Sequence, residues 1–239
     1  MARAGGVVIV SPRYWAFATT DGALHEGTMS GAPTGMRRVP LVRGVAKLVA
    51  SMAPLFRGRG VAGTGERAFL VFALVAPLFA FAMPGAARWP FAVALTGAIL
   101  LWLLRGRTLH LHGAEHRAIA AVEANALAAT WDGAARPTRF SPRCGTNFAA
   151  LVLPVTLGAE RLWPLPAGAV LTPLAVTLVS LALTMELWHA VQASRHRVAR
   201  VFLLPGLALQ RLTTREPSPA ETRVALRAVA SVLQRELSV

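Results

Sequence analysis

The stretch AFLVFALVAPLFAFAM, residues 68–83, decides what kind of fold this chain adopts. It is apolar, carries no charged residue and ends at Pro84-Gly85. A second uncharged run, WPFAVALTGAILLWLL at 89–104, follows after only five residues. Each run is slightly shorter than the roughly 20 residues that a helix needs to cross the hydrocarbon of a bilayer, but flanking residues can extend both. We therefore expect a transmembrane hairpin over 68–104.

Two further apolar runs follow later in the chain. The run at 148–165 is interrupted by Glu160-Arg161, which we place near the far interface, and the run at 167–188 is long enough to cross. The whole chain of 239 residues is 54% hydrophobic, with a mean hydropathy of +0.50. A soluble domain of this length is rarely so apolar. These patterns predict a mainly α, polytopic membrane protein with about four transmembrane helices.

The basic residues predict the orientation. With four spans, the side opposite the termini holds two short loops, and these contain only Arg88 and Arg161 of the 25 Lys and Arg residues. The positive-inside rule then places both termini and the 105–147 loop in the cytoplasm. A net charge of +14 beside apolar runs indicates a lipid bilayer with anionic headgroups as partner. Nucleic-acid binding is disfavoured, because no interleaving of aromatic and basic residues marks a stacking surface.

The predicted spans divide the chain into five parts. Residues 1–67 form a cytoplasmic segment with two short strands around a turn and an amphipathic surface helix over Pro40–Phe56. Ser218-Pro219-Ala220-Glu221 predicts the start of a packing helix that runs to about Leu237. The five parts are 1–67, the hairpin 68–104, the motif loop 105–147, a second hairpin 148–188, and the cytoplasmic tail 189–239.

The loop sequence HLHGAEHRAIAAVE, at 110–123, gathers several metal-ligand residue types. We expect a helix from about His112 to Ala129, on which His112, His116 and Glu123 fall within about 40° of one another. The spacing His-x-x-Glu-His is that of inverted zincins, in which both histidines bind the metal and the glutamate, here Glu115, activates a water. The alternative is an interfacial helix whose histidines face lipid headgroups.

A second cluster, SPRCGTNF at 141–148, contains the single cysteine, Cys144. Arg143 favours its thiolate form, as a ligand or as a nucleophile. Gly145 to Asn147 fit a tight turn that caps the third span. The alternative is a helix-start turn with an incidental thiol.

A third candidate is Glu186, at the cytoplasmic end of the fourth span, where an ionisable residue is costly and defaults to a functional hypothesis. Its alternative is an ion pair with an arginine such as Arg195. The predicted topology brings the ends of these three segments to one interface. The candidate site is therefore His112 and His116 with Glu123, Cys144 or Glu186 as third ligand, and Glu115 as general base.

Five stretches of the chain resemble the DUF1385 family of YqhQ-related bacterial membrane proteins. They are SPRYWAFATTDG at 11–22, RRVPLVRGV at 37–45, HGAEHRAIAAVE at 112–123, SPRCGTNF at 141–148 and PGLALQRLTTREP at 205–217. The resemblance implies a multi-span protein of the bacterial inner membrane, sometimes described as a predicted metal-dependent enzyme. One departure is that the Gly-Gly-Gln and Glu-Gly-Val-Met segments, which the family usually has near its start, are absent here.

Three functions compete at this point. The first is a membrane-embedded metal-dependent hydrolase, with zinc or iron, that acts on a peptide or lipid at the cytoplasmic interface. The second is a transporter or assembly factor that uses Glu186 and the histidines as an ion or proton relay. The third, a basic surface that docks RNA, is required by nothing in the sequence.

Overall fold

The computed structural model describes residues 1–29, 35, 39–58, 60–83, 85–103, 106–162, 171–194 and 196–238. Helices dominate these ranges, and the strands lie near the N-terminus. The strands are β1 (Ala2–Arg3), β2 (Gly6–Val10), β3 (Tyr14–Thr19) and β4 (Leu24–Thr28). The helices are α1 (Val42–Arg57), α2 (Thr64–Ala82), α3 (Gly85–Leu103), α4 (Thr108–Glu123), α5 (Leu127–Trp131), α6 (Gly145–Leu162), α7 (Leu171–Ala193), α8 (Arg197–Val201), α9 (Leu204–Thr213) and α10 (Pro219–Leu237).

The four strands form one antiparallel sheet in the order β1-β2-β3-β4. Successive residues of a strand point to opposite faces, and both faces are covered here. Val7 packs among residues of α4 and α10, including Leu111 and Leu226. Val8, its neighbour, packs on the other face with Trp15 and with Leu55 of α1. The sequence thus predicted two strands where the structure has four, and a turn containing Asp21-Gly22 lies between β3 and β4.

The predicted C-terminal packing helix is confirmed. Ser218 caps α10: its hydroxyl accepts from the Glu221 backbone N–H, and the Glu221 carboxylate accepts from the Ser218 backbone N–H. Val229 and Val232 are buried, and α10 packs on α4 and the sheet. The sequence pattern predicts separate N-terminal, loop and C-terminal parts, but β2, α4 and α10 from these parts share one hydrophobic core.

The predicted helix over 112–129 is interrupted. α4 ends at Glu123, and α5 begins only at Leu127. Between them Asn125 adopts a positive φ of 51°, a backbone conformation that ends a helix and that asparagine tolerates better than most residues. The α4 helix itself begins earlier than expected, at Thr108.

The predicted apolar runs form long helices. The first two correspond to α2 and α3, and the last two to α6 and α7. Residues 163–170, where the third predicted span ends and the fourth begins, lie outside the described ranges. Within those ranges one segment, Leu174–Ala193 in α7, meets the length and hydropathy expected of a membrane-crossing helix. The predicted amphipathic helix is α1, whose Gly44 packs closely on Met185 of α7.

Candidate metal centre

The two histidines of the loop motif lie on the side of α4 that faces away from the sheet. Their rings meet edge to face, with centroids 4.5 Å apart, as expected for residues one helical turn apart. Each ring bonds a backbone oxygen through Nδ1: His112 contacts Thr213 O at 2.8 Å, and His116 contacts Arg139 O at 2.7 Å. A carbonyl only accepts, so both Nδ1 atoms carry the proton. Nε2 is therefore the nitrogen of each ring that could bind a metal ion.

The thiol of Cys144 completes the cluster. Its Sγ lies 3.3 Å from Nε2 of His112, and ligand atoms of both histidines and of Cys144 all lie within 4.8 Å of one another. His116 and Cys144 are only 3% and 8% exposed. The structure thus brings together residues from α4 and from the turn before α6, which are 32 positions apart in sequence.

The imidazoles change the protonation of the thiol. Burial raises the pKa of Cys144, but hydrogen bonds and charge interactions with His112 and His116 lower it more, to about 5. Burial in turn lowers the pKa of His112, and the hydrogen bond to Cys144 together with the charge of Glu115 raises it above its ordinary value. The predicted role of Arg143 in this effect is not needed, because the histidines supply it.

These residues fit a divalent metal ion. Two imidazole nitrogens and a thiolate are ligands that zinc and ferrous iron accept. The Nδ1 bonds to backbone oxygens are the outer-shell contacts that orient metal-binding histidines in proteins. Three protein ligands also leave a coordination position for a water or substrate, as in catalytic rather than structural zinc sites.

Glu115 lies beside the cluster and is largely buried. Its Oε1 accepts from the amino group of Met1 at 2.6 Å. Burial raises the pKa of Glu115, but the positive charges of that amine and of His112 lower it below its ordinary value. The carboxylate is therefore ionised at neutral pH, as a general base must be.

Two residues of α9, which the sequence did not single out, build the support of the cluster. Gln210 is fully buried and clamps Ser141: its Nε2 donates to Ser141 O, and its Oε1 accepts from Ser141 N, both at 2.8 Å. This fixes the turn that carries Cys144. The carbonyl of Thr213 holds His112. Both residues lie within PGLALQRLTTREP, the stretch at 205–217 that carried part of the family resemblance.

Asn147 stabilises the same turn. It is buried at the start of α6, and its Nδ2 donates to the carbonyls of Ser141 and Pro142, each at 3.0 Å. The sequence predicts Asn147 in a turn before the third apolar helix, whereas in the structure that helix, α6, already begins at Gly145 and includes Asn147. Its role is to position the Cys144 turn rather than to contact the metal ligands.

A model of the DUF1385 family, described as a protein of unknown function, matches residues 68–235. The chain belongs to this family. It is 30% identical over 133 residues to the uncharacterized protein YqhQ of Bacillus subtilis (strain 168), an alignment that covers 54% of this chain and 42% of that protein. The chain therefore spans less than half the length of the curated relative it matches. No solved structure shows a significant match.

Two candidate ligands in this DUF1385 member lie apart from the cluster. Glu123 accepts from Arg143 Nη1 at 2.5 Å, at the exposed end of α4. It shares a helical stripe with His116, but seven residues at 1.5 Å each separate them by about 10 Å along the axis. Angular alignment on a helix does not bring side chains together over that distance.

The third candidate carboxylate, Glu186, contacts α1 instead. Its carboxylate accepts from Arg43 Nε at 2.8 Å and from the backbone N–H of Leu41 at 3.2 Å. The alternative of an arginine pair therefore describes Glu186, although the partner is Arg43 and not Arg195, which lies outside the described residues. This pair fastens the start of α1 to the end of α7.

Proposed function

We propose that this protein is an integral membrane, metal-dependent hydrolase whose ion, zinc or iron, is held by His112, His116 and Cys144 at the cytoplasmic interface. One observation carries the proposal: both imidazoles are fixed by backbone oxygens at Nδ1, and the thiol lies among their open nitrogens. A cluster of incidental histidines facing headgroups would need neither the matched carbonyl bonds nor the burial of His116.

The proposed membrane arrangement is four spans, α2, α3, α6 and α7, with both termini in the cytoplasm. Large apolar side chains are exposed along all four helices, as lipid-facing residues would be: Val71, Phe72, Val75, Val93, Leu101, Leu153, Leu157, Leu174, Leu178 and Leu183. The positive-inside rule supports the orientation. Because α4 begins soon after α3 ends and Cys144 directly precedes α6, this arrangement puts the cluster near the headgroup layer, with anionic lipids as partners.

His112, His116 and Cys144 would hold a divalent ion that would supply a Lewis acid for the hydrolysis of a carbonyl or related bond. The proton transfer is carried out by a side chain of the protein. Glu115 takes the proton from the attacking water and passes it to the leaving group. Peptides and lipids at the interface are the proposed substrate classes.

The alternative of a transporter depends on Glu186 as an ion or proton relay, and the contacts of Glu186 do not support that role. A relay carboxylate must exchange protons or ions, whereas Glu186 forms a two-point contact with Arg43 and a further hydrogen bond to the backbone. Such a pair is suited to holding two helices together.

Metal analysis of the detergent-purified protein tests the proposal. We expect close to one zinc or iron per chain in the wild type, and loss of the metal in a His112→Ala/His116→Ala variant, because two of three ligands are removed. His196→Ala, which changes an exposed histidine, is the matched control and keeps the metal. Glu115→Gln also keeps the metal but loses hydrolysis of ester and peptide substrates in mixed micelles.

Cobalt substitution gives a second readout. A thiolate–cobalt charge-transfer band in the wild type, absent in Cys144→Ser, would identify Cys144 as a ligand. Folded wild-type protein that stays metal-free after growth and reconstitution with zinc and iron would contradict the metal centre. Metal bound equally by the double-histidine variant would contradict the ligand assignment.

A further inference from the structure

The segment formed by α8 and α9 exposes an apolar face for which the described part of the fold supplies no cover. Six large apolar side chains between residues 198 and 212 are exposed, some of them more than half: Val198, Val201, Phe202, Leu204, Leu209 and Leu212. α10, which is almost twice as long as α9, exposes one large apolar side chain, Leu237, near its end. The face of α8 and α9 is therefore unlike the water-facing surface of the same protein.

The opposite side of α9 is tightly packed. Gly206 and Gln210 are buried, and they lie about half a helical turn around the axis from Leu204 and Leu212. A Cβ atom on Gly206 would lie 2.2 Å from Asn147 Oδ1, so only glycine allows α9 to approach α6 this closely. The exposed leucines are thus held outward by a fixed contact and cannot turn inward.

Exposed cationic residues accompany the apolar ones. Arg200 at the end of α8 and Arg211 at the end of α9 are both exposed. The interleaving of basic and large apolar side chains is the pattern of helices that lie in the interface of an anionic membrane. The face is also continuous with α7, the described helix that is long and apolar enough to cross a bilayer, because α8 packs against α7.

We propose that α8 and α9 form an interfacial lipid-binding element whose partner is the anionic surface of the inner leaflet. The apolar side chains enter the region between headgroups and acyl chains, and the arginines contact lipid phosphates. The same helix α9 holds Ser141 through Gln210 and His112 through Thr213. Membrane contact therefore positions the His–His–Cys cluster. This inference rests on the proposed transmembrane arrangement, and it is independent of whether the cluster binds metal.

Site-directed fluorescence in vesicles of phosphatidylethanolamine and phosphatidylglycerol tests the proposal. Single cysteines are placed in a Cys144→Ser background at Val201, Leu212, Leu178 and Leu237, and each is labelled with an environment-sensitive fluorophore. Val201→Cys and Leu212→Cys test the inference. Leu178→Cys in α7 is the reference for the span, and Leu237→Cys is the reference for water. Phe202→Cys and Leu209→Cys replace either test variant that does not fold.

The expected result is that labels at 201 and 212 are quenched by nitroxide lipids labelled near the headgroup and are at least several-fold less accessible to aqueous iodide than the label at 237. Iodide accessibility equal to that at 237 overturns the inference. Protection from iodide without quenching by the lipids also overturns it, because the face is then covered by protein, such as a second copy. If the label at 178 also fails to meet lipid, the transmembrane proposal itself fails.

Discussion

The thiol of Cys144 is held in a form that a free cysteine does not have at neutral pH. Its pKa of about 5, against an ordinary value of 9.0, depends on His112 and His116. In chelator-treated protein we therefore expect the ultraviolet absorbance of the thiolate to titrate near pH 5. Replacing one partner, in His112→Ala, should move this transition to higher pH, because only His116 then opposes the effect of burial, which disfavours the charged form.

The titration is simple to assign because Cys144 is the single cysteine of the chain. Cys144→Ser provides the baseline, and His196→Ala should titrate like the wild type. A transition near pH 9 in the wild type would contradict the His–Cys contact. At this scale the sequence predicted that His112 and His116 meet, since i, i+4 spacing on a helix is a local property, whereas Cys144 was one of three candidates for the third ligand. It could not predict Gln210 and Thr213, because they act on the cluster through backbone atoms brought near by tertiary packing.

At the scale of helices and turns, the contact between α9 and α6 decides how well the cluster is supported. Gly206→Ala should push α9 away from Asn147 and loosen the Gln210–Ser141 clamp. Overpacking of this kind typically costs about 1–3 kcal/mol. We expect a lower thermal unfolding midpoint in detergent and reduced metal content. Gly158→Ala in α6 is the matched control, because its added Cβ meets no atom within 4 Å.

An unchanged midpoint and metal content in Gly206→Ala would show that α9 does not brace the site. The apolar runs and the capping box predicted five of the described helices, because they are signals within one segment: α2, α3, α6, α7 and α10. The break at Asn125 and the position of Glu123 apart from the cluster were not predicted, and the arginine-pair alternative for Glu186 named Arg195 instead of Arg43. They depend on a single backbone angle, on distance along the helix axis, and on Arg43, an arginine distant in sequence.

For the whole molecule, the four-span arrangement predicts which surfaces face which side of the membrane. In a Cys144→Ser background, Ala87→Cys lies exposed in the first turn of α3, beside the connection from α2, and Ser238→Cys follows α10. In intact cells a membrane-impermeant maleimide should label position 87, whereas labelling of position 238 should require permeabilisation. Labelling of both positions from outside, or of neither before lysis, would contradict the topology. The sequence predicts the spans from hydropathy alone, whereas the shared core of both ends of the chain becomes visible only in three dimensions.

During synthesis the N-terminal sheet is complete long before α10, the helix that packs on it, has been made. Between the end of β4 at Thr28 and the start of α10 at Pro219 lies most of the chain. At roughly 5–20 residues per second, a ribosome needs on the order of 10–40 s to complete that interval. The strands are therefore uncovered on their α10 side while α1 to α9 are being synthesised. The candidate centre likewise gains its full support only after α9, which carries Gln210 and Thr213, has been translated.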